Sequence, residues 1–196
     1  MTLQYYIWLL IVPMILGLWA QFKVKGAFSR WSQIPASSNM NGAQTAHAVL
    51  DAADIRDVEV VEINGMLGDH YDPTQKRLCL SSDVYHTPSV AAVSIAAHEA
   101  GHAIQHAKAY GPLKLRMALV PVTMLASQML PFIMIGGLMF GIFGLVKLGF
   151  WCYLVLTAFQ LVTLPVEFDA SRRAKVVLDG LGIIRNREEA AGVSKV

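Results

Sequence analysis

Three stretches of the chain carry no charged residue and are dense in apolar side chains. They run from the N-terminus to Phe22, between Arg116 and Lys147, and between Lys147 and Glu167. A helix that crosses a bilayer needs about 20 largely apolar residues, so the first and third stretches predict one span each. The second is longer than a span requires. It is expected to begin near Pro121, pass Pro131 and end in the glycine-rich run 136–144, with Thr123, Ser127 and Gln128 near one end or against another helix. The N-terminal stretch lacks a basic start, and Leu18-Trp19-Ala20-Gln21 is not a small-x-small cleavage site, so it reads as an uncleaved anchor rather than a signal peptide.

The polar positions concentrate between the first two stretches. Asn41 followed by Ala43, Ala46, Val49, Leu50 and Ala53 predicts a short capped helix with one buried stripe. Residues 58–63 are β-branched with alternating acids and predict a strand; residues 77–81 predict a second. The glycines and Asp72-Pro73 of segment 65–73 predict a loop between them, so the two strands are expected to pair as a hairpin. Thr87-Pro88 predicts a helix start, with Thr87 as cap and Pro88 in the first turn, for an Ala-rich helix over 89–107.

Composition agrees with the pattern. Only 15% of the 196 residues are charged and 55% are hydrophobic, with a mean hydropathy of +0.46, against about 25% charged in a soluble domain. A disordered chain and a highly charged nucleic-acid binder are both excluded. Two cysteines, Cys79 and Cys152, cannot make a disulfide framework. The formal net charge is only +2, so placement matters more than balance. Lys23, Lys25 and Arg30 follow the first stretch, Lys108, Lys114 and Arg116 precede the second, and Arg172, Arg173 and Lys175 follow the third. The other side has the amino terminus and Lys147. By the excess of Lys and Arg on cytoplasmic flanks, the N-terminus is expected outside and residues 23–115 and 167–196 in the cytoplasm. The expected fold is mainly α. An anchor (1–22) leads to a small cytoplasmic α+β region (23–115) carrying a zincin-type active-site helix, then to two transmembrane helices (116–166) and a cytoplasmic helix with a short tail (167–196). The tail itself carries no strong signal.

The chemistry sits on the Ala-rich helix, as His98-Glu99-Ala100-Gly101-His102. Two histidines four apart share one helical face and can hold one metal ion, while Glu99 reaches a water bound to it. Zinc lowers the pKa of bound water to about 7, so the motif offers two ligands, His98 and His102, and a general base, Glu99. Random placement of six histidines and six glutamates gives such a motif in roughly one chain in two hundred. The competing reading is a surface helix with titratable residues. His106 continues the face, but three imidazoles on one straight helix diverge from a tetrahedral centre, so it is expected toward solvent or behind the ligands. A catalytic zinc needs a third protein ligand from elsewhere and an open fourth position. Glu167, where the chain returns to the cytoplasmic side after Pro165, is the best placed. The alternatives are an interfacial acid paired with Arg172 or Arg173, and a third ligand from His70 or Asp169 instead.

At these residues the chain resembles the YugP-type neutral zinc metallopeptidases, bacterial membrane proteins distantly similar to the HtpX-type membrane proteases. The resemblance rests on Gly68-Asp69-His70-Tyr71-Asp72-Pro73, on the block 96–105 around His98-Glu99-Ala100-Gly101-His102, and on the block 161–174 around Pro165-Val166-Glu167-Phe168-Asp169. It implies zinc on His98, His102 and Glu167 with Glu99 as base, in a gluzincin-like site. It also implies residence in the bacterial cytoplasmic membrane, and a further hydrophobic segment beyond Val196. The HtpX-type enzymes carry an Asp four residues after the third ligand, orienting a zinc-bound histidine. Here that position is Ser171, and the nearby acid is Asp169.

His70 and Tyr71 are candidates for hydrogen-bonding the oxyanion of the reaction, a role worth about 3 kcal/mol; the alternative is a turn satisfying its own backbone. Arg172 and Arg173 are candidates for the same role or for anchoring to lipid phosphates. His47 falls on an exposed helix face and His86 in a loop. The expected function is a zinc endopeptidase acting at the cytoplasmic membrane face on membrane-associated protein or peptide substrates, which an exposed edge of the 58–63 hairpin would hold as an added strand. Its partners would be the lipid bilayer and a membrane-protein complex, with no nucleic acid. The competing class is a non-catalytic membrane scaffold or assembly partner with a structural zinc closed by His70 or His106. The charge bias makes a direct prediction. A thiol introduced by Ser38→Cys should label only in permeabilised cells, and one introduced by Lys147→Cys should label from outside; the reverse pattern overturns the orientation.

Overall fold

The computed structural model describes residues 3–65 and 68–195, and side chains from Val12 onward except that of Pro13. In chain order the elements are α1 (Leu3–Ser32), α2 (Gly42–Ala52), β1 (Glu59–Ile63), β2 (His70–Asp72), β3 (Arg77–Ser81), α3 (Ser82–His86), α4 (Val90–Ala107), α5 (Gly111–Met139), α6 (Phe143–Gly180) and α7 (Arg187–Val193). The protein is mainly helical with one small sheet, as expected. Its contacts divide it into two compact units, Met1–Ala100 with Ala174–Val196, and Gly101–Arg173. The division passes through α4 and α6, each of which is a single unbroken helix.

In the first unit α1 continues past Phe22 through Ser32. Its last turns have a reason to stay helical: Ala27, Phe28 and Trp31 pack against Val90 and Ala91 at the start of α4. Most side chains of the expected N-terminal anchor lie outside the described residues. Helix α2 forms as its pattern predicts. The Asn41 side chain accepts from the Gln44 amide while the Gln44 side chain accepts from the Asn41 amide, and Ala43, Ala46, Val49 and Leu50 are buried.

The sheet departs from expectation. Its strand order is β1-β3-β2, and β1 pairs with β3 in parallel, Val61 opposite Cys79, so these two strands do not form a hairpin. The hairpin is β2–β3, antiparallel with Tyr71 opposite Leu78. The reason lies in the segment read as a loop. His70, Tyr71 and Asp72 take the extended conformation, and the turn after Asp72 is closed by its carboxylate accepting from the Thr74 and Gln75 amides. Leu78 and Leu80 of β3 are fully buried, as a central strand requires. Both β1 and β2 remain edges. Helix α4 begins at Val90, and Ser89, not Thr87, occupies the capping position: its hydroxyl accepts from the Ala92 amide. Thr87 and Pro88 are drawn away from the helix because the Pro88 carbonyl accepts from Ala36 and Ser89 bridges to Pro35.

In the second unit α5 and α6 are long and apolar enough to cross a membrane, with 29 and 38 residues. The glycine-rich run ends α5 as predicted. Gly141 takes φ +65, a left-handed conformation that costs glycine little, and the following Ile142 amide returns to the Gly137 carbonyl. Thr123 and Ser127 donate their hydroxyls to carbonyls one turn back on their own helix. Pro165 does not end the helix. It lies inside α6, which runs on through Glu167 to Gly180.

The tail is more ordered than its composition announced. Asn186 caps α7 by accepting from the Glu189 amide. Glu189, 4% exposed, accepts from the amides of Arg185 and Ser37 and from the Ser37 hydroxyl. Gly192 seats against Trp31 and Val90, where a Cβ would come within 2.7 Å of both, so the tail closes over the root of α4. Burial alone would raise the Glu189 pKa, but hydrogen bonds from Arg185, Ser37 and Asn186 outweigh it and hold it below 4.5. A carboxyl with a lowered folded pKa stabilises fully above its unfolded value and loses that contribution as pH falls through the folded one. Protection of the α7 amides against hydrogen exchange, relative to the free-chain rate at each pH, should therefore hold at pH 5 to 7 and fall as the pH drops below 4.5. Glu189→Ala should open this contact at every pH, costing about 1–3 kcal/mol for the stranded donors.

Candidate metal centre

Helix α4 holds His98 and His102 one turn apart on one face, which the helical repeat alone imposes. The stripe of Ala96, Ala97, Ala100 and Ala103 beside them is buried, so small residues bring neighbouring backbone close. Gly101 marks the limit of this approach. A Cβ there would lie 2.6 Å from the Ala170 carbonyl oxygen of α6, so the helices meet with no side chain between them.

That contact brings α6 donors to α4. His102 is buried, and its Nε2 lies 3.4 Å from Glu167 Oε2. The other ring nitrogen settles the tautomer. Gln105 is fully buried; its amide nitrogen donates to the Val166 carbonyl at 2.7 Å and to Asp169 Oδ2 at 3.0 Å. Both partners only accept, so the end of Gln105 that faces His102 Nδ1, at 3.1 Å, is its oxygen. Nδ1 must then carry a proton, and in the neutral imidazole Nε2 presents a lone pair to Glu167. Two lone pairs facing each other call for a cation between them, a proton or a metal ion. His98 extends the group: the ligand atoms of His98, His102 and Glu167 all lie within 4.8 Å of one another. Two imidazoles and a carboxylate form a donor set suited to zinc.

Glu99, beside His98, is held from the sheet. The Tyr71 amide of β2 donates to Glu99 Oε2 at 3.0 Å. Burial raises the Tyr71 phenol, with help from Asp57 and Asp72, to about 12, so it keeps its proton near neutrality. His70 is exposed and its Nδ1 meets the Gly68 carbonyl at 2.7 Å. Asp169 is buried and pairs with both arginines, Arg172 Nη2 and Arg173 Nε each at 2.5 Å; Arg173 also lies over the Tyr110 ring at 5.7 Å. Glu167 pairs with Arg116 instead of either of these arginines, Nη1 to Oε1 at 3.1 Å. His106, half-buried at the end of α4, is not in the metal-binding group. His47 is exposed as expected, and His86, on α3, meets Glu62 at 3.2 Å.

Gln105 and Arg116 are the residues sequence reasoning missed. Gln105 leaves one readable signal, an amide next to the apolar Ala103 and Ile104 after His102, and Arg116 reads only as a flanking charge.

Residues 6–196 match the family described as "Putative neutral zinc metallopeptidase", and the chain belongs to that family. Among its relatives is a protein of Bacillus subtilis (strain 168) named "Putative membrane protease YugP", 46% identical over 191 residues, which cover 97% of this chain and 84% of that protein. No solved structure shows a significant match.

The hydrogen-bonded line from His102 through Gln105 to Asp169 has a measurable weight. Gln105→Leu keeps the bulk but removes both polar ends, and should weaken zinc binding about 10–100-fold, read by competition with a colour-forming chelator. An unchanged affinity would show that His102 is oriented without it.

Proposed function

We propose that the protein is an integral-membrane zinc endopeptidase that cuts protein or peptide substrates at the cytoplasmic face of the membrane. The observation that carries this reading is the group formed by His98, His102 and Glu167 beside Glu99. Three protein donors are what a catalytic zinc keeps, with the fourth position open to water and substrate. A structural site would be closed by a fourth donor. Neither His70 nor His106 joins the group among the described residues, which favours the enzyme over the scaffold. Zinc, when bound, acidifies a bound water and polarises the substrate carbonyl.

The chain's own residues have separate parts. His98, His102 and Glu167 hold the metal. Gln105, with Asp169 behind it, keeps the proton of His102 on Nδ1 and its lone pair outward. Glu99 takes a proton from the attacking water and returns it to the leaving amine, and the Tyr71 amide fixes the carboxylate that does so. Arg172 and Arg173 are committed to Asp169 and serve the framework rather than the oxyanion. The protonated Tyr71 phenol remains the candidate donor to the oxyanion. The edge of β1 offers backbone groups to an extended substrate, and the apolar α5 and α6 support the membrane setting.

Two variants of the full chain in detergent test the reading. Glu99→Gln should keep its zinc and lose cleavage of an unfolded model protein by at least about 100-fold, whereas Glu167→Ala should lose zinc itself. Unchanged cleavage by Glu99→Gln would remove Glu99 as the base. Full zinc retention by Glu167→Ala would move the third ligand elsewhere.

A further inference from the structure

The two oxygens of Glu167 face different partners. Oε2 lies 3.4 Å from His102 Nε2, and Oε1 lies 3.1 Å from Arg116 Nη1. We propose that Arg116 is a positioning residue for Glu167, occupying one carboxylate oxygen so that only the other is offered to a metal beside His102. The proposal rests on the metallopeptidase reading above.

Arg116 differs from its basic neighbours in where it points. Lys108 and Lys114 are exposed, and among the described residues neither forms an ion pair, as charges that only mark a membrane flank would behave. Arg116 is turned inward, with its side chain 32% exposed against 37% for Glu167, where a pair is less screened than at the surface. The chain before it is fixed. The Tyr110 amide returns to the Gln105 carbonyl, the Lys114 amide to that of Tyr110, and Leu113, one turn before Arg116, is buried at 5% exposure. Three helices therefore meet at one carboxylate: α4 brings the imidazole, α6 the acid and α5 the guanidinium.

The chemical consequence concerns coordination number. A carboxylate with both oxygens available can take two positions on a metal, and with two imidazoles that would fill a tetrahedral shell. A carboxylate with one oxygen held by a guanidinium takes a single position and leaves the fourth open. Lysine at 116 would keep the charge at the membrane flank, yet it lacks the planar fork that holds a carboxylate in orientation.

Zinc affinity of the full chain in detergent tests the assignment without reference to cleavage. Arg116→Ala should bind zinc about 10–100-fold more weakly, and Arg116→Lys should fall between it and the parent. Thermal unfolding of the metal-stripped forms reports folding, and if Arg116→Ala does not fold, Arg116→Lys carries the test with the same expected direction. In a Glu167→Gln background, Arg116→Ala should change zinc affinity less than about twofold, because residues that act through each other are not additive. Affinity unchanged or tighter in both Arg116 variants, with zinc lost from Glu167→Ala, overturns the assignment and leaves the metallopeptidase reading standing. A full further loss in the Glu167→Gln background also overturns it, because Arg116 would then act elsewhere. If Glu167→Ala itself binds zinc like the parent, the Glu167 ligand fails, and the role of Arg116 fails with it.

Discussion

Backbone meets backbone where α4 crosses α6. A side chain of even one carbon at Gly101 would sit 2.6 Å from the Ala170 carbonyl oxygen, closer than packed atoms tolerate. Glycine there sets the separation of the two helices, and that separation sets the reach of every polar group near it. Glu167 precedes Ala170 by one turn, and its carboxylate comes to His102. Val166 and Asp169 flank the same contact and receive the two hydrogens of the Gln105 amide. The glycine in the middle of the motif thus matters as much for the acid on α6 as for the histidines on either side of it.

The two acids of α6, two residues apart, have opposite surroundings. Asp169 is saturated: Gln105 and two guanidinium groups meet its oxygens in a buried position. A buried carboxylate with so many donors is bound firmly in place, and what it offers is the orientation of Gln105 and, through it, of His102. Glu167 has one oxygen on a guanidinium and the other facing His102 Nε2, the ring nitrogen that Gln105 leaves for a cation. Burial, partner count and the tautomer of one histidine separate a scaffold acid from a donor acid on the same turn of helix.

What could be read in advance depended on whether the partners lay on one element. The histidine pair and Glu99 share a helix, so spacing alone placed them. Asn41 and Gln44 cap α2 within four residues, and the glycine-rich end of α5 was equally local. Gln105 joins groups 61 and 64 residues away, and no local pattern marks such a pairing. Arg116 fitted a rule about flanking charges, and that sufficient explanation concealed its contact with Glu167. The parallel pairing of β1 with β3 was hidden for a related reason. Three residues of extended chain at His70 decide which strand is the neighbour, and a segment of glycines and Asp-Pro reads as a turn. At α4 the cap moved from Thr87 to Ser89 because the Pro88 carbonyl bonds to Ala36, a partner from before α2. Asn186 and Glu189 have the spacing of a helix start, but its burial depends on Ser37 and Trp31 at the other end of the chain.

The long reach of these contacts also orders events during synthesis. Helix α4, with its histidines and Glu99, leaves the ribosome well before the residues that complete its surroundings, since 64 residues separate Gln105 from Asp169. Between them lie α5 and the apolar part of α6, which pack on each other at Gly137 and Gly149 as a hairpin. A nascent chain that has made only α4 holds an incomplete donor set, with Gln105 lacking its acceptors and His102 free to choose either tautomer. The set closes only after the hairpin has been made and α6 has come back against Gly101. Maturation of the centre is thereby tied to completion of α5 and α6.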